Sequence, residues 1–544
     1  MKKTETEYLN KGNMLKANNE PDKAIIEYLK AREINPDNPQ THYLIGTCFL
    51  ALNEKETAYS AFLTSVHLCP DYVPSLCELY YLLYYRYDVA GALFYIKRVL
   101  KIIPIANFKM IKAIVEYPWF FNDSQEIDKA LSALDAALSE WQENKDSILL
   151  ALPTLCEISY RYGDQTERFR QFGIGYTAGN ASNKELTPPP PRQRKRLMIV
   201  ADSRYTSVWR VILKGIMTHI DRSLFEVVFL PAVSIDWPWI KEAQALSDIY
   251  FPHVFTSEKN IIGIIEKMHP DIIFYPEISM ADIIYSIATR RLAPLQVASW
   301  GHPTTTGIPN IDIFFSGELI EPENSNTHYT ERLVKLPGTG ALTLTPDPVK
   351  AVKYSNPKDI PSFVICQSEM KFDPSDDELY IRIAKRVGRC KFWISIAREK
   401  SGAKLRDRLI NAFWDGGLDP NYYLVFVPYL VKEKFAGLLD EVDIYLDCPA
   451  FSGYTTAHFA IQRGIPIVTL EGDFMRQRLA AGLLRQIGIT DTIAASRKEY
   501  VDIAARLARE STEQRTERRN VIIKAATLAD NNMSVIREFE RNLL

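Results

Sequence analysis

From Leu197 onward, short apolar runs recur at intervals that leave room for one amphipathic helix each. LMIVA (197–201), FEVVFLP (225–231), DIIFYPE (271–277) and LQVASW (295–300) form a first series. SFVICQ (362–367), KFWISI (391–396), YYLVFVP (422–428), VDIYLDC (442–448) and IPIVTL (465–470) form a second. Near-continuous hydrophobicity marks strands buried on both faces, so each series predicts a parallel sheet with crossover helices. The interval 338–361 holds four prolines and no clear period, and predicts the connection between two α/β units. Two doubly wound units facing one another place the carboxyl ends of both sheets on a shared cleft, where such folds bind ligands.

Before residue 183 the pattern is helical and repeats. Pro36, Pro70 and Pro104 are spaced 34 and 34 apart. Twelve residues before each stands Ala24, Ala58 or Ala92; eight before, Tyr28, Phe62 or Ile96; five before, Ala31, Ser65 or Val99. Gly12 and Gly46 precede the first two prolines by 24 residues, and Tyr80 holds that place in the third. Small residues thus recur where two helices approach closely, a bulky one where the pair needs filling, and a proline just beyond the second helix. This ladder resembles the tetratricopeptide repeat. The period fades after Pro104, yet IDKALSALDAALSEW (127–141) keeps a helical pattern, so the solenoid is expected to run to residue 182. Its concave face is a candidate protein-docking surface. NASNKELTPPPPRQRKR (180–196), with Pro188 to Pro191 in succession, predicts a polyproline-stiffened linker over 183–196. The two α/β units then occupy 197–350 and 351–544.

Composition narrows the function. The net charge is −2, so no global basic excess supports nucleic-acid binding, and Arg192, Arg194, Lys195 and Arg196 read as a solvated strand edge. No apolar stretch approaches the roughly 20 residues of a spanning helix. The start, MKKTETEYLN, lacks the apolar core of a secretory signal, and the seven cysteines stand singly. These features predict a cytoplasmic protein without disulfides or a zinc cluster.

The fingerprints of P-loop, dinucleotide, serine-hydrolase and zinc-protease sites are absent, as is Asp-x-Asp, so any bound phosphate must be neutralised by the protein's own groups. Cys448-Pro449-Ala450-Phe451-Ser452-Gly453-Tyr454-Thr455-Thr456 lies between a strand and a helix. Gly453 allows a tight turn, and the helix start offers backbone N–H groups and threonine hydroxyls to a phosphate; simple capping by threonine is the plainer alternative. Lys371, in the loop after strand 362–367, should reach the same end of the sheet as a cation or else lie on the surface. On the opposite wall, Gly301-His302-Pro303-Thr304-Thr305-Thr306-Gly307 follows strand 295–300. His302 is either a proton shuttle near neutral pH or a structural histidine. Glu277, at the end of strand 271–277, is a second acid–base candidate on that wall.

Together PDIIFYPEISM, LQVASWGHPTTTGIPNID, SEMKFDP and the stretch from YLDCPAFSGYTTAH to GIPIVTLEGDFMRQRLAAGLL resemble glycosyltransferase family 41, in both its O-linked N-acetylglucosamine and its adhesin-modifying branches. The resemblance implies a GT-B pair of Rossmann-like domains and an inverting, metal-independent transfer. The sugar would pass from a nucleotide-sugar co-substrate, UDP-linked by preference, to a protein side chain, with no further cofactor. It makes Lys371 the cation on the leaving diphosphate and gives His302 a place near donor and acceptor. Ser368, Gly453, Tyr454, Thr455, Thr456 and, more weakly, Arg478 fall on the donor side. The chain departs from the family at Phe459, which stands where an acidic residue holds the ribose, and from its O-linked branch at three further points: Ser368 replaces a glutamine, Tyr454 replaces a histidine, and the first loop, ADSRYTSVW (201–209), has no histidine. These departures keep open a flagellin transferase with a CMP-nonulosonate donor, and a non-catalytic repeat adaptor. The expected partner is an adhesin- or flagellin-like acceptor docked on the repeats.

Overall fold

The structure is a computed structural model that describes residues 4–18, 20–143, 152–180, 186–233, 237–252, 258–344, 348–353, 360–396 and 399–544. The first part of the linker and parts of the 338–361 connection lie outside the described residues.

Three helix pairs open the chain: Glu5–Ala17 with Pro21–Ile34, Pro39–Ala51 with Lys55–Leu68, and Val73–Tyr84 with Val89–Ile102. Each repeat proline lies two residues beyond the second helix. Ala24, Ala58 and Ala92 are fully buried, as are Tyr28, Phe62 and Ile96. A Cβ on Gly12 would come within 2.4 Å of the Tyr28 ring, and one on Gly46 within 2.6 Å of Phe62. The alternation of small and bulky positions is therefore a direct interlock between paired helices. Helices Ala106–Glu116, Ser124–Glu143 and Thr166–Gly179 continue the array.

The solenoid is packed against the sheets. The Tyr85 hydroxyl donates to Asp282, and Thr154 N donates to the same carboxylate at 3.1 Å. Phe172 and Tyr176 set their rings 5.4 and 5.5 Å from Tyr285. Arg408 donates to Phe121 O at 2.7 Å and lies over the Phe120 ring.

The first sheet comprises β1 (Lys195–Asp202), β2 (Phe225–Val233), β3 (Ile249–Tyr250), β4 (Ile272–Tyr275), β5 (Leu295–Ser299), β6 (Ile313–Gly317) and β7 (Arg332–Leu336), in the order β3-β2-β1-β4-β5-β6-β7. The second comprises β8 (Ser362–Ile365), β9 (Lys391–Ile396), β10 (Leu424–Pro428), β11 (Ile444–Leu446), β12 (Ile467–Leu470) and β13 (Ile493–Ala494), in the order β10-β9-β8-β11-β12-β13. Every neighbouring pair is parallel. Strand order reverses between β1 and β4 and between β8 and β11, the switch points where open α/β sheets bind ligands. The chain is thus a tetratricopeptide-like solenoid followed by two Rossmann-like domains in the GT-B arrangement.

Two expectations are corrected. The last helix, Ser534–Leu543, leaves the second unit and returns to the first: Phe539 packs on Phe274 and Phe315, and Lys195 Nζ donates to Leu543 O at 3.0 Å. Residues 534–544 therefore belong physically with the first sheet rather than with a 351–544 unit. The stretch taken as linker also ends in structure, since β1 starts at Lys195. Its arginines are ion-paired along the amino edge of the sheet, Arg192 with Asp271 at 3.3 Å, Arg194 with Asp248 at 3.4 Å and Arg196 with Glu226 at 2.5 Å.

Candidate active site

The second sheet's switch point gathers a connected polar knot. After β11, Asp447 is fully buried and its carboxylate accepts from Ser452 Oγ at 2.6 Å, Gly453 N at 2.8 Å and Thr469 Oγ1 at 2.9 Å. Ser452 is thereby held at four points. Its hydroxyl also accepts from Ala480 N, its N–H donates to Arg476 O, and its carbonyl accepts from Lys371 Nζ at 3.2 Å. The Lys371 ammonium lies 4.5 Å over the Phe451 ring. Burial brings that ammonium down to about 8, while Asp447 and Cys448 pull the other way.

Gly453 is glycine for want of space, not for an unusual turn. A Cβ there would stand 2.0 Å from Gln367 Nε2. That amide, at the end of β8, donates to Tyr445 OH at 2.7 Å and to Thr456 Oγ1 at 3.3 Å; Tyr445 OH and Thr456 Oγ1 are 2.8 Å apart. The helix Thr455–Gln462 carries no side-chain cap. Threonine capping, the plainer alternative, is thus not what the pair does. Thr455 and Thr456 are partly exposed at a helix start whose backbone donors have no side-chain acceptor. Ser368 caps the short turn Glu369–Lys371 by accepting Lys371 N at 2.9 Å on its carbonyl, which aims the lysine across to Ser452.

Two residues expected on the donor have partners within the protein. Tyr454 turns away from the phosphate side: its hydroxyl is 3.0 Å from Thr339 Oγ1 and its ring meets Trp300 edge-on at 4.9 Å, so it fastens one sheet unit to the other. Arg478 is bound to Glu471 at 2.5 Å and donates to Gly472 O at 3.0 Å, which ties its charge to the loop after β12.

The first sheet's end is closed by the solenoid. Segment 152–163 enters the cleft, and Tyr160 sets its ring 4.6 Å from Phe451 beside Lys371. Tyr162 OH donates to Asp376 at 2.8 Å. Ser159 Oγ lies 3.2 Å from His302 Nε2, and Thr304 Oγ1 lies 3.3 Å from Nδ1. Ser159 donates its single proton to Cys156 O. Thr304 Oγ1 likewise lies 3.2 Å from Thr305 O, so each hydroxyl flanking the ring has a carbonyl acceptor of its own. Burial and the nearby Arg476 push His302 down to about 3. A shuttle titrating near neutral pH does not fit this environment; the imidazole is neutral and held at both nitrogens. Glu277 is also fully buried; Oε1 accepts from Asp202 N at 2.5 Å, Oε2 has no partner, and burial raises its carboxyl well above the usual range. It is a buried carboxyl held under the first sheet's end.

The residues that sequence reasoning missed are Gln367, Asp447 and Ser452. Asp447 and Ser452 sat inside quoted motifs, but a buried carboxylate binding a turn three ways leaves no mark in spacing. Phe459, at the position expected to hold a ribose, stacks on Phe435 at 5.5 Å. Among the described residues no group of three or more His, Cys, Asp or Glu gathers to hold a metal ion, and no helix is long and apolar enough to cross a membrane.

Residues 349–535 match the model of glycosyl transferase family 41. Among curated proteins, the chain is 28% identical over 225 residues to the probable UDP-N-acetylglucosamine–peptide N-acetylglucosaminyltransferase SPINDLY of Solanum lycopersicum, covering 41% of this chain and 24% of that one. It is 29% identical over 155 residues to the UDP-N-acetylglucosamine–peptide N-acetylglucosaminyltransferase of Caenorhabditis elegans, covering 28% of this chain and 13% of that one. The chain therefore spans a quarter or less of the length of these two relatives. A mutant of the Thermobaculum terrenum O-GlcNAc transferase aligns over 100% of this chain and 98% of its own at 18% identity with a TM-score of 0.64, a likeness of fold.

Proposed function

We propose that this family-41-like chain, with its tetratricopeptide-like helices, is a glycosyltransferase that moves a sugar from a nucleotide-sugar to a protein side chain. The family match, the relatives' activity and the polar knot at the second switch point support this reading. The observation that carries it is the placement of Lys371 against Ser452 O, beside the uncapped helix start at Thr455 and Thr456. A diphosphate there would meet one fixed ammonium, the threonine hydroxyls and the positive end of a helix.

The proposed transfer is inverting and metal-independent. An acceptor side chain attacks the anomeric carbon in line with the departing diphosphate. As the C–O bond to phosphate breaks, negative charge grows on the leaving oxygens, and Lys371 and the turn stabilise it without rearranging. Asp447 and Ser452 act one step back, holding the carbonyl that positions the ammonium. The donor is proposed as UDP-linked N-acetylglucosamine, the substrate in the relatives' names. The relatives' names favour neither the nonulosonate nor the adaptor alternative.

The test is incubation of the full chain with radiolabelled UDP-N-acetylglucosamine and a panel of intact bacterial surface proteins, with and without EDTA. Label should enter protein equally in both. A strict need for added divalent metal would remove the metal-independent mechanism, and label from CMP-linked donors alone would remove the UDP assignment.

A further inference from the structure

Among the described residues, a carbonyl and an aromatic ring place the Lys371 ammonium. Nζ donates to Ser452 O at 3.2 Å and lies 4.5 Å over the Phe451 ring. Phe451 is buried in the turn that leads into Ser452. Its ring packs on a residue of the solenoid. Tyr160, at the end of the short turn Cys156–Tyr160, stands 4.6 Å from it with the two planes 35° apart. Tyr160 and Lys371 thus meet the same ring, one from the solenoid and one from the second sheet unit.

The strap that carries Tyr160 is held on either side of it. Before it, Ser159 Oγ donates to Cys156 O and lies 3.2 Å from His302 Nε2. After it, Arg476 Nη2 donates to Arg161 O at 3.3 Å and to Gly163 O at 2.5 Å. The same strap grips the loop that carries the lysine. Tyr162 OH donates to Asp376 at 2.8 Å, where Arg497 Nη2 joins it at 2.6 Å, and Arg161 Nη1 lies 3.8 Å from Asp373. Arg161 and Tyr162 therefore hold the base of Lys371, while Tyr160 backs the ring beneath its tip. A charged group stabilises a reacting charge best when packed neighbours have set its geometry beforehand. Burial also lowers the lysine to about 8, against the pull of Asp447 and Cys448, so the groups that keep water from it set its charge just above neutral pH.

We infer that Tyr160 is a positioning residue for Lys371, supplied by the solenoid and acting through the Phe451 ring. The solenoid then completes the donor side of the cleft, besides any part it plays for an acceptor. Tyr160→Ala leaves a gap beside Phe451, which frees the ring to tilt and lets water reach the ammonium. Tyr160→Phe keeps the packing surface. That Lys371 meets a diphosphate rests on the transferase reading; its dependence on Tyr160 does not.

The experiment is acetylation of the full chain by trace acetic anhydride over a range of pH, without sugar donor, with Lys371 read by mass spectrometry. In wild type the reactivity of Lys371 should rise through about pH 8. Tyr160→Phe should follow wild type. Tyr160→Ala should inflect about one pH unit higher, because a hydrated ammonium holds its proton more firmly. Circular dichroism checks folding, and if Tyr160→Ala does not fold, the milder truncation Tyr160→Val should move the inflection in the same direction. An unmoved inflection in the folded truncation, or an equal move in Tyr160→Phe, would overturn the proposal. Calorimetric titration of UDP into the same proteins reads the diphosphate separately. Tyr160→Ala should bind UDP about fivefold more weakly than wild type, and Tyr160→Phe should match wild type. A moved inflection with no UDP binding in any of the proteins would support the role of Tyr160 and remove the diphosphate reading.

Discussion

The carboxyl ends of the two sheets face the same cleft but differ in what covers them. On the second sheet, the polar groups are bonded to one another so that donors stay directed at the cleft: Lys371 on Ser452 O, Thr456 on Gln367 and Tyr445, and an uncapped helix start. On the first, the ionisable groups are turned inward, His302 to Ser159 of the solenoid and Glu277 Oε1 to Asp202 N. The difference is what favours the second wall for the proposed electrostatic chemistry. It gives the first wall a different task, docking the solenoid. A carboxylate and an imidazole at the ends of strands look like an acid–base pair in sequence; in the structure both are buried, and burial raises the carboxyl and lowers the imidazole.

The comparison predicts a ranking of substitutions. Lys371→Ala should cut transfer by about 10²–10³-fold or more, the scale for removing a preorganised charge stabiliser, with circular dichroism unchanged. A folded variant with near wild-type turnover would dissolve the contrast between walls. Next comes Asp447→Asn. Asp447 supports the protonated state of Lys371, so its removal should lower the lysine further. In wild type, kcat/KM should fall as pH rises through about 8, because the ammonium is lost; in Asp447→Asn that fall should begin at lower pH, with about a tenfold loss at pH 8. An unmoved alkaline limb would make Asp447 structural only.

His302→Gln should be milder, under about tenfold, and the pH profile between 5 and 8 should carry no limb that disappears in this variant. A limb near 6.5 abolished by the substitution would return His302 to acid–base chemistry. The smallest effect is expected for Tyr85→Phe. It removes one hydrogen bond to Asp282, whose other bond from Thr154 N remains, and should lower stability by about 1 kcal/mol in denaturant melts with transfer intact.

The sequence displayed most clearly what depends on spacing. The 34-residue ladder was legible because Tyr28 and Phe62 each need a glycine opposite, and that pairing recurs at fixed intervals. The strands beside the switch points, β1, β4, β8 and β11, were legible because both faces are buried and the runs are continuously apolar. IFFSG (313–317) and RLVKL (332–336) were not expected, since polar residues interrupt them toward the edge of the sheet. The two-residue strands β3 and β13 are too short to carry a pattern. In the site, Lys371 and the threonine pair stood out as residue types at loop positions. Contacts between distant segments did not: Ser159 on His302, Gln367 over Gly453, and Arg476 under the 161–163 backbone join parts of the chain that no local pattern relates. The return of the last helix to the first sheet is of the same kind, because an amphipathic helix shows that it docks but not where.

The central claim is that the second wall binds a diphosphate through Lys371 and the uncapped turn. Calorimetric titration of UDP and of uridine into wild type and Lys371→Ala, at pH 7 and at pH 9, tests it most directly. The account predicts that wild type binds UDP at least tenfold more tightly than Lys371→Ala at pH 7 and that this advantage shrinks toward pH 9. Uridine should bind both proteins alike at either pH. Equal UDP affinity in the two proteins at pH 7 would contradict it.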